Sequence, residues 1–161
     1  MLTRTWIIAA LLIVPAQCIA ACDEPAARAF DFWVGEWRVQ KPDGSFAGTN
    51  KVDKEYDGCV VHEHYVTGRG YSGESLNVYD ASRQLWHQSW VDNTGALLLL
   101  EGGLKGKSMV LEGDSKAQDG SRVRNRITWT PNDDGSVRQL WEATDAKGNW
   151  TTAFDGKYTR K

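Results

Sequence analysis

The chain has 161 residues, 41% of them hydrophobic and 25% charged, with 19 Lys and Arg against 21 Asp and Glu for a formal charge of −2. A balance so close to neutral excludes the dense basic surface that nucleic acid selects, and the length fits one domain rather than two.

The first residues read Met-Leu-Thr-Arg-Thr-Trp, then an unbroken apolar run from Ile7 to Val14, then Pro15-Ala-Gln-Cys-Ile-Ala-Ala21. Charge, apolar middle and small-residue exit in that order predict a secretory signal peptide over residues 1–21, leaving 22–161 as a single domain. The run is far short of the roughly 20 residues a spanning helix needs, and nothing downstream replaces it, so the mature chain is not expected to be transmembrane. It is expected in the periplasm or secreted. Cys18 leaves with the leader, and Cys22 and Cys59 remain as two thiols in an oxidising compartment, where they are expected to pair. Ile19-Ala-Ala-Cys22 also reads as a lipobox, under which Cys22 would carry a lipid anchor. The two readings exclude each other, because a lipidated sulfur cannot form a disulfide.

Residues 24–32 allow one or two helical turns, and beyond them no sustained spacing of three and four supports helix. Short β-branched and aromatic segments alternate instead with turn chemistry such as Pro42-Asp-Gly44, Asp57-Gly58, Asn93-Thr-Gly95 and Asn132-Asp-Asp-Gly135. Strands are predicted over 34–40, 47–56, 59–67, 74–80, 84–92, 96–102, 107–113, 122–130, 136–144 and 150–159, with Gly68-Arg-Gly70 and Gly102-Gly103 read as turns. Nine or ten meandering strands expose least edge when the sheet closes, so the expected fold is all-β, an antiparallel up-and-down β-barrel, with a two-sheet β-sandwich as the alternative.

Period-two alternation groups Trp86, Gln88 and Trp90 on one face, Gln139 and Trp141 on another, and Trp150, Thr152, Phe154 and Tyr158 on a third. Arg122, Arg124 and Arg126 share the face opposite Val123, Ile127 and Trp129. Alternation leaves open which faces point inward. If the Trp and Gln faces do, they wall a cavity with amide and indole donors for a mid-sized ligand; otherwise they are packed core.

Phe30-Asp-Phe-Trp-Val-Gly-Glu-Trp-Arg-Val39, Gly58-Cys-Val-Val-His-Glu-His-Tyr65, Ser75-Leu-Asn-Val-Tyr-Asp80, Trp86-His-Gln-Ser-Trp-Val-Asp92, Arg138-Gln-Leu-Trp-Glu142 and Phe154-Asp-Gly-Lys-Tyr-Thr-Arg160 together resemble an uncharacterised bacterial family of small exported proteins, a domain of unknown function. The resemblance runs from about Phe30 to Arg160 and implies a lipocalin-like, calycin-type barrel without implying chemistry. Gly35-Glu-Trp37 is similar to the Gly-x-Trp of lipocalin-type first strands, which implies that Trp37 plugs one end. The haem-binding nitrobindins have a comparable barrel with a late axial histidine. No histidine follows His87 here, which argues against haem, and no other cofactor is expected.

His62 and His64 share one strand face, with Glu63 on the other, and His87 lies in a strand that a meander brings nearer. The three imidazoles are candidates for a divalent metal, with hydrogen-bonding wall residues as the plainer reading. No catalytic residue is signalled: Ser72, Ser75 and Ser89 lack an elbow motif, and most acids sit in turns. The three arginines suit a solvated outer face; alternatively Arg126 reaches a ligand anion, or one of them stacks on Trp37. The expected activity is therefore binding of a small amphipathic or aromatic ligand by Trp86, Trp90, Trp141 and Trp150, with His62, His64, Gln88, Gln139 and Arg126 as polar contacts. A metal- or His-dependent enzyme in the same cavity and a packed interaction module are the alternatives. Within the apolar run Ala96–Leu100 some side chains must face outward, which makes it the candidate homodimer contact.

Overall fold

The alternation of β-branched and aromatic residues with Gly, Asn and Asp turns produces ten strands in the computed structural model, which describes residues 22–161; the expected signal peptide and Cys18 lie outside the described residues. In chain order they are β1 (Gly35–Gln40), β2 (Phe46–Glu55), β3 (Val60–Val66), β4 (Ser72–Asp80), β5 (Leu85–Asp92), β6 (Leu97–Lys105), β7 (Ser108–Lys116), β8 (Arg122–Pro131), β9 (Val137–Thr144) and β10 (Trp150–Arg160). Each pairs antiparallel with its chain neighbours, and β1 pairs with β10, so the sheet closes into an up-and-down barrel without a free edge. The sandwich is excluded. One 3-10 turn, Asp31–Trp33, is the helical element among the described residues.

One predicted turn is a strand interior. Gly102 and Gly103 lie inside β6, and the chain reverses at Gly106, whose φ of +61° an L side chain rarely adopts. A Cβ at Gly102 would collide with the Val110 carbonyl on β7, so glycine is there to let two strands approach, not to turn the chain.

The segment before β1 fills one end of the barrel. Phe30 stacks on Trp33 with centroids 5.0 Å apart, and both rings meet Trp129 of β8, at 5.2 and 5.4 Å. Trp86 closes the side of this cluster, 5.6 Å from Phe30, and its Nε1 donates to the Ala26 carbonyl at 3.1 Å. Trp37 is fully buried beneath it, and the cation stacked on its face is Arg160 of β10, 4.5 Å from the ring centroid, rather than an arginine of β8.

Cys22 and Cys59 are joined by a disulfide, with Cα atoms 5.1 Å apart, which ties the plug segment to the turn before β3. Denatured without reductant, the purified protein is expected to leave both sulfurs unmodified by iodoacetamide and to take two labels after reduction. Labelling before reduction would show that the bond is absent.

Candidate ligand cavity

Above the plug the barrel encloses a cavity of about 170 Å³. Tyr65 of β3, Trp90 of β5, Trp141 of β9 and Phe154 of β10 supply its aromatic walls, with Leu98 and Ile127 between them. Tyr71, in the β3–β4 connection, and Ala153 stand at its rim, where Ala153 is exposed. Glycines shape this space. A Cβ at Gly48 would collide with the Tyr65 side chain, one at Gly73 with Trp90, and one at Gly156 with Phe154, so each ring occupies space that a side chain on the glycine would fill. A cavity of roughly 150 Å³ lined by apolar side chains takes up benzene. This one therefore matches a single ring with a few more atoms, smaller than the mid-sized ligand that the sequence suggested.

Besides the hydroxyls of Tyr65, Tyr71 and Tyr158, three polar side chains line the cavity: Glu63, Gln88 and Gln139. Behind them runs a hydrogen-bonded chain whose direction is fixed by one backbone carbonyl. Asn77 Nδ2 donates to the Val61 carbonyl at 2.9 Å and to Ser75 Oγ at 3.0 Å, so its Oδ1 is an acceptor and takes a bond from Gln88 Nε2 at 2.7 Å. Ser75 in turn donates to Glu63 Oε2 at 2.8 Å, and Asn50 Nδ2 donates to Oε1 at 3.0 Å. Burial nevertheless dominates, and the Glu63 carboxyl is pushed up to about 7 from an ordinary 4.5, the two hydrogen bonds and the nearby His62 opposing the shift. Gln139 accepts from the Tyr158 hydroxyl.

The indole donors expected on the walls are turned away from a ligand. Trp141 Nε1 donates to Asn125 Oδ1 at 3.0 Å, and Trp90 Nε1 donates to Asp92 Oδ2 at 3.2 Å. The Tyr71 hydroxyl reaches the same Asp92 oxygen at 3.0 Å. Desolvation works against the ionised Asp92, yet hydrogen bonds from Thr94, Trp90 and Tyr71 hold it well below the usual carboxylate range.

Of the nine side chains expected to contact ligand, Gln88, Trp90, Gln139 and Trp141 line the cavity. Trp86 points inward as they do, but one step nearer the plug, where it packs on Phe30. Trp150 is outside because β10 carries a bulge: Thr152 pairs with Glu142 and Phe154 with Trp141, so Ala153 is an extra residue and the faces exchange across it. Arg126 is outside with it, 4.4 Å from the Trp150 ring centroid and bonded to Glu142 through Nε at 3.1 Å and Nη2 at 2.9 Å. Its fork is spent on a neighbouring strand.

His62 and His64 also lie on the outer wall. His62 Nδ1 is 3.1 Å from Glu55, its Nε2 is 3.4 Å from Glu74, and His64 Nδ1 is 3.2 Å from Glu74. His87 is apart from them, bonded to Glu101 at 3.1 Å and Ser89 at 3.0 Å, so the three-histidine set does not assemble. Glu55, rather than His87, groups with His62 and His64 within 4.8 Å, and both nitrogens of His62 and Nδ1 of His64 already pair with acids. Among the described residues no histidine lines the cavity.

Sequence reading missed Glu63 and Tyr65, along with Tyr71, Leu98, Ile127 and Ala153, and it grouped Phe154 and Tyr158 only on the face of Trp150. For the first two a signal exists in Val61-x-Glu63-x-Tyr65, which places an acid on the apolar parity of β3, but Val60 and Val66 make the opposite parity equally apolar. In β6 the apolar run splits as expected: Leu98 and Leu100 are buried and Leu97 and Leu99 are exposed. Among the described residues no helix is long and apolar enough to cross a membrane. No protein-family model matches the chain, and no curated protein matches it.

Proposed function

We propose that this barrel is a binding protein for a small, partly aromatic molecule of about one ring, held between Trp90, Trp141, Tyr65 and Phe154 and oriented by Glu63 and Gln88. The observation that carries the reading is the placement of a desolvated carboxyl on the wall of a cavity lined mainly by aromatic and aliphatic side chains. A barrel that only had to fold would be as stable, or more so, with an apolar residue there, because burying a charge costs several kcal/mol before any partner repays it. Three glycines that leave room for the rings, and a plug that fills the opposite end, support the same reading. The leader-like start of the chain and the Cys22–Cys59 bond support an exported protein, and a Cys22 sulfur engaged in that bond favours a free rather than a lipid-anchored form.

Trp90 and Trp141 make the test direct, since a ring entering the cavity touches both indoles. Titration with one-ring fragments is expected to change tryptophan emission saturably at one site per chain. Trp90→Ala, which removes one wall, is expected to weaken the best fragment by roughly tenfold or more. A fragment set that never saturates, together with a bare mass for the protein isolated from its native compartment, would sink the reading.

A further inference from the structure

The hydrogen-bond polarity of the cavity restricts the charge of what enters it. Resting on the binding reading above, we propose that the ligand is a small organic ammonium ion, a ring bearing a protonated primary or secondary amine, with its N–H groups on Glu63 and the Gln88 carbonyl and its ring between Trp90, Trp141 and Phe154.

The fixed direction of the internal chain leads to this. The Val61 carbonyl can only accept, which orients Asn77, and Asn77 Oδ1 then binds Gln88 Nε2, so the end of Gln88 left for a ligand is its carbonyl oxygen. The same amide bonds Ser75 Oγ, whose proton passes to Glu63, so Glu63, once ionised, meets the cavity as an acceptor with lone pairs to spare. The wall donors of fixed sense, the two indole N–H groups, are committed to Asn125 and Asp92. The adaptable members are Gln139, whose partner is a hydroxyl that can donate or accept, and the Tyr65 and Tyr158 hydroxyls themselves.

A ligand therefore meets acceptors whose sense is fixed and no fixed donor. It also meets a carboxyl without a countercharge: among the described residues, those lining the cavity include no Lys, Arg or His. A cation supplies both what the acceptors lack and the missing charge. The aromatic faces around it attract a cation as well, since a ring's negative face favours positive charge. Asp92, ionised beside the rim residue Tyr71 and the wall residue Trp90, adds charge of the same sign. An anion would be repelled by Asp92, and by Glu63 once it ionises, and would find no donor of fixed sense.

Benzylamine, benzyl alcohol and benzoate share one ring and differ in charge, so calorimetric titration of the intact protein with the three isolates the effect. Benzylamine is expected to bind roughly 10- to 100-fold more tightly than benzyl alcohol, the gain typical of a charge-assisted over a neutral hydrogen bond, with benzoate weakest. Glu63→Gln, of the same shape, is expected to reduce the preference for the amine to about threefold or less. The wild-type series decides the matter even if that variant folds poorly. Benzyl alcohol or benzoate binding as tightly as the amine would overturn the ammonium assignment and leave the binding reading standing. Failure of all three to bind, alongside an unsaturable fragment set, would overturn both.

Discussion

Trp37→Ala is expected to lower the unfolding free energy by about 4 kcal/mol, seen as a fall in the urea midpoint at unchanged slope. The ring is fully buried and does three things at once. It fills the base of the barrel against Tyr158, with centroids 6.5 Å apart. It donates Nε1 to the Trp33 carbonyl at 2.9 Å, which ties the plug segment to β1. It also offers its face to the Arg160 guanidinium, so that the first and last strands are joined at their seam. Alanine leaves a cavity too large to collapse, a carbonyl without its donor and a cation without its ring. Gly35 belongs to the same device, because a Cβ there would collide with Arg160. Trp37→Phe keeps the filling but not the N–H, and about half the loss is expected from it. A loss below about 1 kcal/mol for the alanine variant would mean that the plug is held by other contacts.

The strands were legible because their turns were. Each reversal carries Gly, Asn or Asp where a short connection needs a positive φ or a side chain that bonds its own backbone, and the period-two segments between them have no competing helical reading. Gly102-Gly103 misled for the same reason, since glycine serves a tight strand crossing as well as it serves a turn. The inward face was harder. In β5 two tryptophans and a glutamine share one parity, and they do face inward, Trp86 on the plug and the other two on the cavity. In β3 both parities are mixed, and the imidazoles, which carry the more familiar chemistry, drew attention from Glu63 between them. In β10 one inserted residue, Ala153, reverses the faces, and no periodicity in a single strand announces a bulge that is defined only by its pairing with Glu142 and Trp141. Trp150 was misplaced by that bulge, and it packs outside against Arg126, whose outer-face reading holds and whose ligand contact does not.

Stability is expected to fall as pH rises from about 4.5 to about 7 and then to level off, by about 3 kcal/mol in total, and the slope is expected to vanish in Glu63→Gln. The sign follows from burial. Below 4.5 the carboxyl is protonated in both the folded and the unfolded chain and contributes no difference. Between the two values the unfolded chain ionises while the folded one keeps its proton, so each step up in pH favours unfolding; above about 7 both are ionised and the penalty is complete. The acids held below their ordinary values by hydrogen bonds, Asp80 and Asp134 foremost, act in the opposite sense and only at lower pH, where the native pairing is lost as they protonate. Subtracting the variant's profile from that of the wild type therefore isolates Glu63. Glutamine is a fair replacement because Asn50 Oδ1 has no hydrogen-bond partner, so Asn50 can reverse and accept from the new amide while Ser75 still donates to its carbonyl. Equal profiles for the two proteins would show that Glu63 is solvated and that its burial stores nothing. A difference of the expected size would mean that the barrel retains, at neutral pH, a carboxyl that weakens its own fold, and such a group is maintained for what it meets in the cavity rather than for what it does for the sheet.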